Sequence, residues 1–299
     1  MNCRNDEKIV WGGIYWEKAL KERMSSSKCL EKYGYKVYSQ NDEDGIIAEI
    51  FCRIGTTNKT FFEIGVQNGL ESNGHLLLFS GWRGVWIEGN KKYCKEIGIR
   101  FRPVIEEDRL KICNAFVNRD NIEELIKSHC SEQELDFLSI DIDGNDYYVW
   151  QAVNTVKPRV VCVEYNGKIP PDIEWKQAYH ADHRWDGSDW HGASLRAFEI
   201  LGKEKGYSLV GTNITGVNAF FVRNDLVGDL FLEPYTALNL YNPLKTRYVH
   251  RNGHKARYCL AVQKEGMGVE QYVKSGEKLF IKKCNIRDNL IDFYRRHMK

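Results

Sequence analysis

The chain predicts a doubly wound α/β fold, a mainly parallel seven-stranded sheet with a helical lead-in before it and a basic extension after it. Three observations predict it. Short apolar runs of strand length alternate with stretches of helical period from about residue 60 onward. The run Phe61-Phe62-Glu63-Ile64 breaks into Gly65-Val66-Gln67-Asn68-Gly69, which is how a buried strand turns sharply into a helix. Acids recur at the carboxyl ends of these runs, where open α/β sheets hold their ligands.

The 299 residues suit one large α/β domain with decorations, or two modest ones. A formal net charge of +2 gives no general case for nucleic acid. The start Met1-Asn2-Cys3-Arg4 has no apolar leader core, and no run of roughly eighteen apolar residues occurs, so we expect a cytoplasmic protein with no membrane span. The nine cysteines are scattered without C-x-x-C spacing, and Cys113 and Cys162 fall in apolar runs. Reduced thiols explain them better than disulfides or a zinc cluster. Nothing in the chain sets its oligomeric state, and a homo-oligomer is among the arrangements it allows.

Residues 1–37 form the lead-in, with a helix around Tyr15–Met24 and a polar linker at Ser25-Ser26-Ser27. The main domain spans 38–225. It begins with Tyr38-Ser39-Gln40-Asn41-Asp42-Glu43-Asp44, whose acids favour the start of a helix carrying Ile46, Ile47, Ile50, Phe51 and Ile54 and stopping at Gly55. Gln40 is not needed for capping, and is either a cleft contact or an ordinary surface residue. The glycine turn lacks the G-x-G-x-x-G dinucleotide fingerprint but lets a ligand approach the backbone closely. A helix over Leu70–Phe79 would then aim its first amides at negative charge. Glu63, Gly65 and Gly69, with Ser72 and Asn73 in that first helical turn, are candidate cofactor contacts; an ordinary strand-to-helix turn is the alternative.

Gly84–Glu88 reads as the second strand and ends in an acid roughly twenty residues past the glycines, where a carboxylate accepts from ribose hydroxyls. Glu88 is the ribose candidate. A helix over Lys91–Ile97 leads to a third strand at Leu110–Cys113, followed by Asn114-Ala115-Phe116. Ile122, Leu125 and Ile126 place a helix before the fourth strand, Leu135–Ile140, which runs into Asp141-Ile142-Asp143-Gly144-Asn145-Asp146. Helix resumes through Trp150, and the fifth strand, Arg159–Glu164, follows Pro158. Residues 167–192 hold Pro170-Pro171, Trp175, Trp185, Trp190, His180, His183 and His191 without a period, the mark of a lid or binding loop. A helix then ends at Gly206, and Tyr207–Gly211 and Asn218–Val222 form an antiparallel pair at the sheet edge. Residues 226–299 are the basic extension, with 14 Lys/Arg against 7 Asp/Glu beyond Leu226. Its stretch His250-Arg251-Asn252-Gly253-His254-Lys255 is either a solvated face or a hold for a phosphate or carboxylate.

The acidic run fails as a calcium loop, because Ala152 stands where the twelfth-position acid belongs and a strand precedes it. What remains is Asp141 and Asp143 at one strand end, with Glu164 and the amide of Asn166 at its neighbour. Oxygen ligands with open positions suit Mg²⁺ or Mn²⁺, which would acidify a substrate hydroxyl. In the alternative, Asp141 and Asp146 cap the next helix and Glu164 pairs with a base. His180-x-x-His183 with His191 offers a rival zinc site, while His191 alone suits a catalytic base or a substrate contact.

The acid-x-Gly-x-x-x-Gly turn resembles motif I of the Rossmann-like class I S-adenosylmethionine-dependent methyltransferases. Together with Tyr38-Ser39-Gln40, Gly84–Glu88, Ser139–Asp146, Val163–Asn166 and Gly192-Ala193-Ser194-Leu195, it resembles the FkbM-type and related sugar O-methyltransferases over roughly residues 38–223. The resemblance implies S-adenosylmethionine as cofactor, Ala115 and Phe116 beside its adenine, and Asp141 among its contacts. Many FkbM-type proteins have Asp-Val-Glu-Gly at the fourth strand end; this chain is richer in carboxylates and in that respect is similar to the metal-dependent macrocin O-methyltransferase group. It departs from that group in having Tyr165 where a second strand-end acid is usual. Asp143 is then either a metal ligand or the base that takes the proton. The implied activity is methyl transfer to a hydroxyl of a sugar, nucleotide-linked and destined for a capsular or other surface polysaccharide. A small non-sugar acceptor, or a non-catalytic nucleoside-binding domain, are the other readings.

Overall fold

The computed structural model describes residues 14–130 and 134–244. The expectations for His250–Lys255 and the rest of the chain beyond 244 lie outside the described residues. In chain order the elements are α1 (Ile14–Met24), a 3-10 turn (Leu30–Tyr33), α2 (Glu43–Ile54), β1 (Thr60–Ile64), α3 (His75–Phe79), β2 (Arg83–Glu88), α4 (Lys91–Arg100), α5 (Arg102–Glu106) and β3 (Leu110–Asn114). Then come α6 (Ile122–His129), β4 (Glu134–Ile140), α7 (Asp146–Ala152), β5 (Lys157–Glu164), α8 (Leu195–Lys205), β6 (Tyr207–Thr212), β7 (Asn218–Arg223), α9 (Asn224–Val227) and α10 (Ala237–Leu240).

The seven strands form one sheet in the order β3-β2-β1-β4-β5-β7-β6. All pairs are parallel except those of β7, which runs antiparallel to both β5 and β6. This is a doubly wound, Rossmann-like sheet with one antiparallel strand next to its edge. Register aligns the carboxyl ends: Ile64 lies opposite both Ile87 and Ile140, Glu88 opposite Asn114, and Ile140 opposite Val163. The residues that follow the parallel strands therefore emerge along one edge.

Strand alternation sends Phe62, Ile64, Leu138, Ile140, Val161 and Val163 to one face, against Trp150 of α7 and Phe198 of α8. Phe61, Trp86, Phe137, Val160, Cys162 and Phe220 face the other way, against Ile46 and Ile50 of α2. Both faces are covered, which is why the central strands read as continuous apolar runs rather than alternating ones. Each such side chain contributes about 1.5–3 kcal/mol on burial.

Three features differ from the sequence expectations. The helix expected over Leu70–Phe79 is only His75–Phe79, because the chain from Gln67 to Gly74 turns back on itself before the helix starts. The lead-in is not set apart: buried Arg23 reaches Glu31 at 3.0 Å and Asn242 at 3.1 Å, tying the residues before 38 to those beyond 226. Leu240 and Tyr241 are likewise buried in the main core, so the fold continues past 225. Finally, α5 extends the segment after α4, with Pro103 fitting its first turn because no intrahelical donor is lost there.

Candidate functional site

A cleft of about 910 Å³ follows the carboxyl edge of the sheet, from Ala115 and Phe116 after β3 to Thr215 and Val217 in the β6–β7 turn. Gly65 makes its floor possible. With φ at 84°, it packs so closely on the Asp141 carbonyl that an added Cβ would stand 1.6 Å from that oxygen. Only glycine fits the crossing of the two turns.

The other candidates around the glycine turn sit behind the cleft wall rather than in it. Glu63 is buried; one carboxylate oxygen accepts from the Asn73 amide at 2.6 Å, the other from the Gly74 amide at 2.8 Å and the Trp86 indole at 2.9 Å. Burial pushes its pKa up to about 7 against the pull of those donors. Gly69 turns at φ 77° against the Trp86 and Phe101 rings, and Asn73 donates to the Ser139 hydroxyl at 3.0 Å. Ser72 is buried and, like these three, absent from the cleft lining. Glu63, Gly69, Ser72 and Asn73 thus shape the turn, and the amides that the sequence reading aimed at a ligand are taken by Glu63.

Glu88 does line the cleft. Its two oxygens accept from the Gln67 and Asn90 amides, each at 2.7 Å, which orients the carboxylate while leaving lone pairs for a ligand. Burial raises its pKa. Gln40, Ala115 and Phe116 also line the cleft, and the Phe116 ring lies beside Gly89.

At the ends of β4 and β5, Asp141, Asp143 and Glu164 each offer an oxygen, all within 4.8 Å of one another. Burial, and then the charges of the neighbouring acids, hold Asp141 and Glu164 well above the usual carboxylate range. Asp143 takes a left-handed φ of 55°, a strained position for a residue with a side chain. Asp146 holds the turn in place: its oxygens accept from the Ile142 and Gly144 amides, each at 2.9 Å. Its pKa is pushed up to about 6 by burial. Asn166, expected as a further oxygen ligand, has its Oδ1 accepting from the Lys168 amide at 3.1 Å, while its Nδ2 donates to the Asp189 and His191 carbonyls at 2.8 and 3.0 Å and fixes the loop. Tyr165 donates to the Asn242 carbonyl at 2.5 Å, a structural tie where an acid would have faced the cleft.

The loop over 167–192 crosses above these acids. It has its own small core of Ile169, Ile173 and Trp175 packed with Trp190. Asn145 donates to the His180 carbonyl at 2.9 Å and Tyr148 to the Gln177 carbonyl at 2.7 Å, securing the loop to α7 and the turn before it. His183 and His191 both line the cleft, whereas His180 does not. Among the described residues the acid triad is the one group with metal-ligating geometry, so the three histidines form no zinc site. Lys168, Arg184 and the Thr215–Val217 turn line the cleft without having been singled out from sequence. The loop lacks any period, and its course is decided by hydrogen bonds to distant elements.

No family model and no curated protein matches the chain. Solved structures similar to it include the O-methyltransferase from Bacillus cereus in complex with SAH, at TM-score 0.39 and 15% identity over 72% of this chain and 94% of that one. Another is the magnesium protoporphyrin IX methyltransferase (ChlM) from Synechocystis PCC 6803 with bound SAM, at TM-score 0.41 and 11% identity over 75% and 98%. A third is the METTL16 MTase domain, at TM-score 0.33 and 16% identity, where 41% of this chain spans about half, 51%, of that one. No helix among the described residues is long and apolar enough to cross a membrane.

Proposed function

We propose that the protein is an S-adenosylmethionine-dependent O-methyltransferase, assisted by Mg²⁺ or Mn²⁺ and acting on a hydroxyl of a nucleotide-linked sugar for a surface polysaccharide. The observation that carries the reading is that Glu88, oriented by two backbone amides, and a three-carboxylate cluster share one cleft along the same sheet edge.

The donor sets fit both groups. Glu88 is buried and oriented by two amides, as an acceptor for ribose hydroxyls requires, and Ala115 and Phe116 flank the space for an adenine. S-adenosylmethionine, when bound, supplies an electrophilic methyl group. Asp141, Asp143 and Glu164 are oxygen donors whose mutual repulsion a hard divalent cation relieves, and such a cation lowers the pKa of a nearby hydroxyl. Asp143 or His191 takes the proton from the acceptor hydroxyl, and the loop over 167–192 excludes water while that happens. Positioning of the two reactants provides most of the remaining acceleration.

The test is methyl transfer from labelled S-adenosylmethionine to a panel of nucleotide sugars, in EDTA and after restoring each metal. We expect activity to be lost in chelator, restored by Mg²⁺ or Mn²⁺, and reduced at least about 100-fold in Asp141→Asn and Glu164→Gln. Full activity in chelator with both variants active would refute metal assistance and leave a side-chain base alone.

A further inference from the structure

We propose that Arg184 and Lys91 form an anion-binding end of the cleft that receives a phosphate group of the acceptor, so that the substrate is an elongated phosphorylated molecule rather than a neutral one. The proposal rests on the methyltransferase reading above and deepens it.

Arg184 lines the cleft and lies over the Phe116 ring, 4.9 Å from its centroid. Two other cations near the loop, by contrast, have acidic neighbours. Lys168 pairs with Asp189, and Arg119 pairs with Asp120 at 3.3 Å while also covering the Tyr179 ring. Among the described residues the Arg184 side chain makes no hydrogen bond or ion pair and rests on the Phe116 ring face. A ring face holds a guanidinium in place without neutralising it and leaves its in-plane N–H groups free, the arrangement that suits a bidentate hold on a phosphate. Lys91, at the start of α4, lines the same end and likewise has no acidic partner among the described residues. Gly89, two residues before Lys91, packs on Phe116, the ring that Arg184 covers.

Placement then fixes the shape of the ligand. Phe116 follows β3 and the acid triad follows β4 and β5, with β2 and β1 between them. At the usual strand spacing β3 and β4 are about 14 Å apart. His183 packs against Gly144 in the acid turn, and the next residue, Arg184, reaches towards Phe116, so one loop spans that distance. An acceptor with its hydroxyl at the acids and its phosphate at Arg184 would lie lengthwise under the loop.

The alternative role for Arg184 is that of a latch, closing the loop on Phe116 with no ligand involved. Calorimetric titrations separate the two. S-adenosylhomocysteine is titrated first, because failure of the protein to bind it counts against the methyltransferase reading itself. UDP, inorganic pyrophosphate and uridine are then titrated into the protein saturated with S-adenosylhomocysteine. We expect UDP and pyrophosphate to bind, and UDP to bind at least about tenfold more tightly than uridine. Arg184→Gln should weaken UDP about tenfold and Arg184→Lys less, with S-adenosylhomocysteine affinity within about twofold of wild type in both. Equal binding of UDP and uridine, absence of UDP binding, or displacement of S-adenosylhomocysteine by UDP would each overturn the proposal. So would a fall in S-adenosylhomocysteine affinity in step with UDP in Arg184→Gln, since the cation would then serve the cofactor or the loop.

Discussion

Two turns lie side by side in this molecule, one after β1 and one after β4, and they use their acids in opposite ways. After β1, Glu63 is turned inward and engaged by three protein donors, and the glycine turn it braces presents backbone to the cleft. After β4, Asp146 does the bracing, and Asp141 and Asp143 are left to face Glu164 across the strand ends. Both turns carry left-handed residues, Gln67 and Asp143 among them, held there by amide-to-carboxylate hydrogen bonds. The difference shows that an acid at a strand end says little about its role until its hydrogen-bond partners are known. Glu63, buried behind the cleft wall with its oxygens taken by three protein donors, stabilises the fold. A carboxylate surrounded by other carboxylates stores repulsion that a ligand can relieve.

The largest effect expected from this contrast is on stability. Glu63→Ala removes the acceptor for two backbone amides and an indole, all buried, and should cost about 3 kcal/mol in denaturant unfolding. Asp141→Asn removes repulsion instead, and should leave the metal-free protein within about 0.5 kcal/mol of wild type or make it more stable. Equal losses in the two variants would erase the distinction between the turns.

A smaller effect is the pH dependence of the metal-free protein. Glu63, Asp146, Asp141 and Glu164 all have folded-state pKa values above their unfolded ones, chiefly because they are buried. The native state therefore binds protons more tightly. The stability these groups contribute is complete below their ordinary range and is lost as pH rises through the raised values, about 6 for Asp146 and about 7 for Glu63. The thermal midpoint without metal should fall between about pH 5 and pH 8. Added Mn²⁺ should raise it by a few degrees near pH 8 and by less near pH 5, since protons compete for the same oxygens. A midpoint insensitive to Mn²⁺ at both values, or a greater rise at the lower pH, would remove the acid triad as a cation site.

Much of this architecture was legible in the sequence because the sheet is covered on both faces. Apolar runs such as Phe137–Ile140 and Val160–Val163 announce themselves, and an acid directly after each marks the ligand edge. The convergence of Asp141, Asp143 and Glu164 followed from that same register. The inward turn of Glu63 was not legible, because a strand residue's face depends on which neighbour fills the space, here Trp86 of the adjacent strand. Nor was the delayed start of α3: Ser72 and Asn73 look like a first helical turn in sequence, but the Glu63 carboxylate fixes the Asn73 and Gly74 amides ahead of it. Arg184 was invisible for a different reason. Its place over Phe116 depends on a loop secured by Tyr148 and Asn145, contacts between residues about thirty positions apart that follow no period.

If, as proposed, the cleft holds S-adenosylmethionine with Glu88 at its ribose, calorimetric titration of S-adenosylhomocysteine with NAD as comparator is the decisive measurement. We expect S-adenosylhomocysteine binding at about micromolar Kd, much weaker NAD binding, and a loss of about 1.5–3 kcal/mol in Glu88→Ala, the cost of removing charge-assisted hydrogen bonds. Binding of NAD as tightly as S-adenosylhomocysteine, or an unchanged affinity in Glu88→Ala, would contradict the proposal.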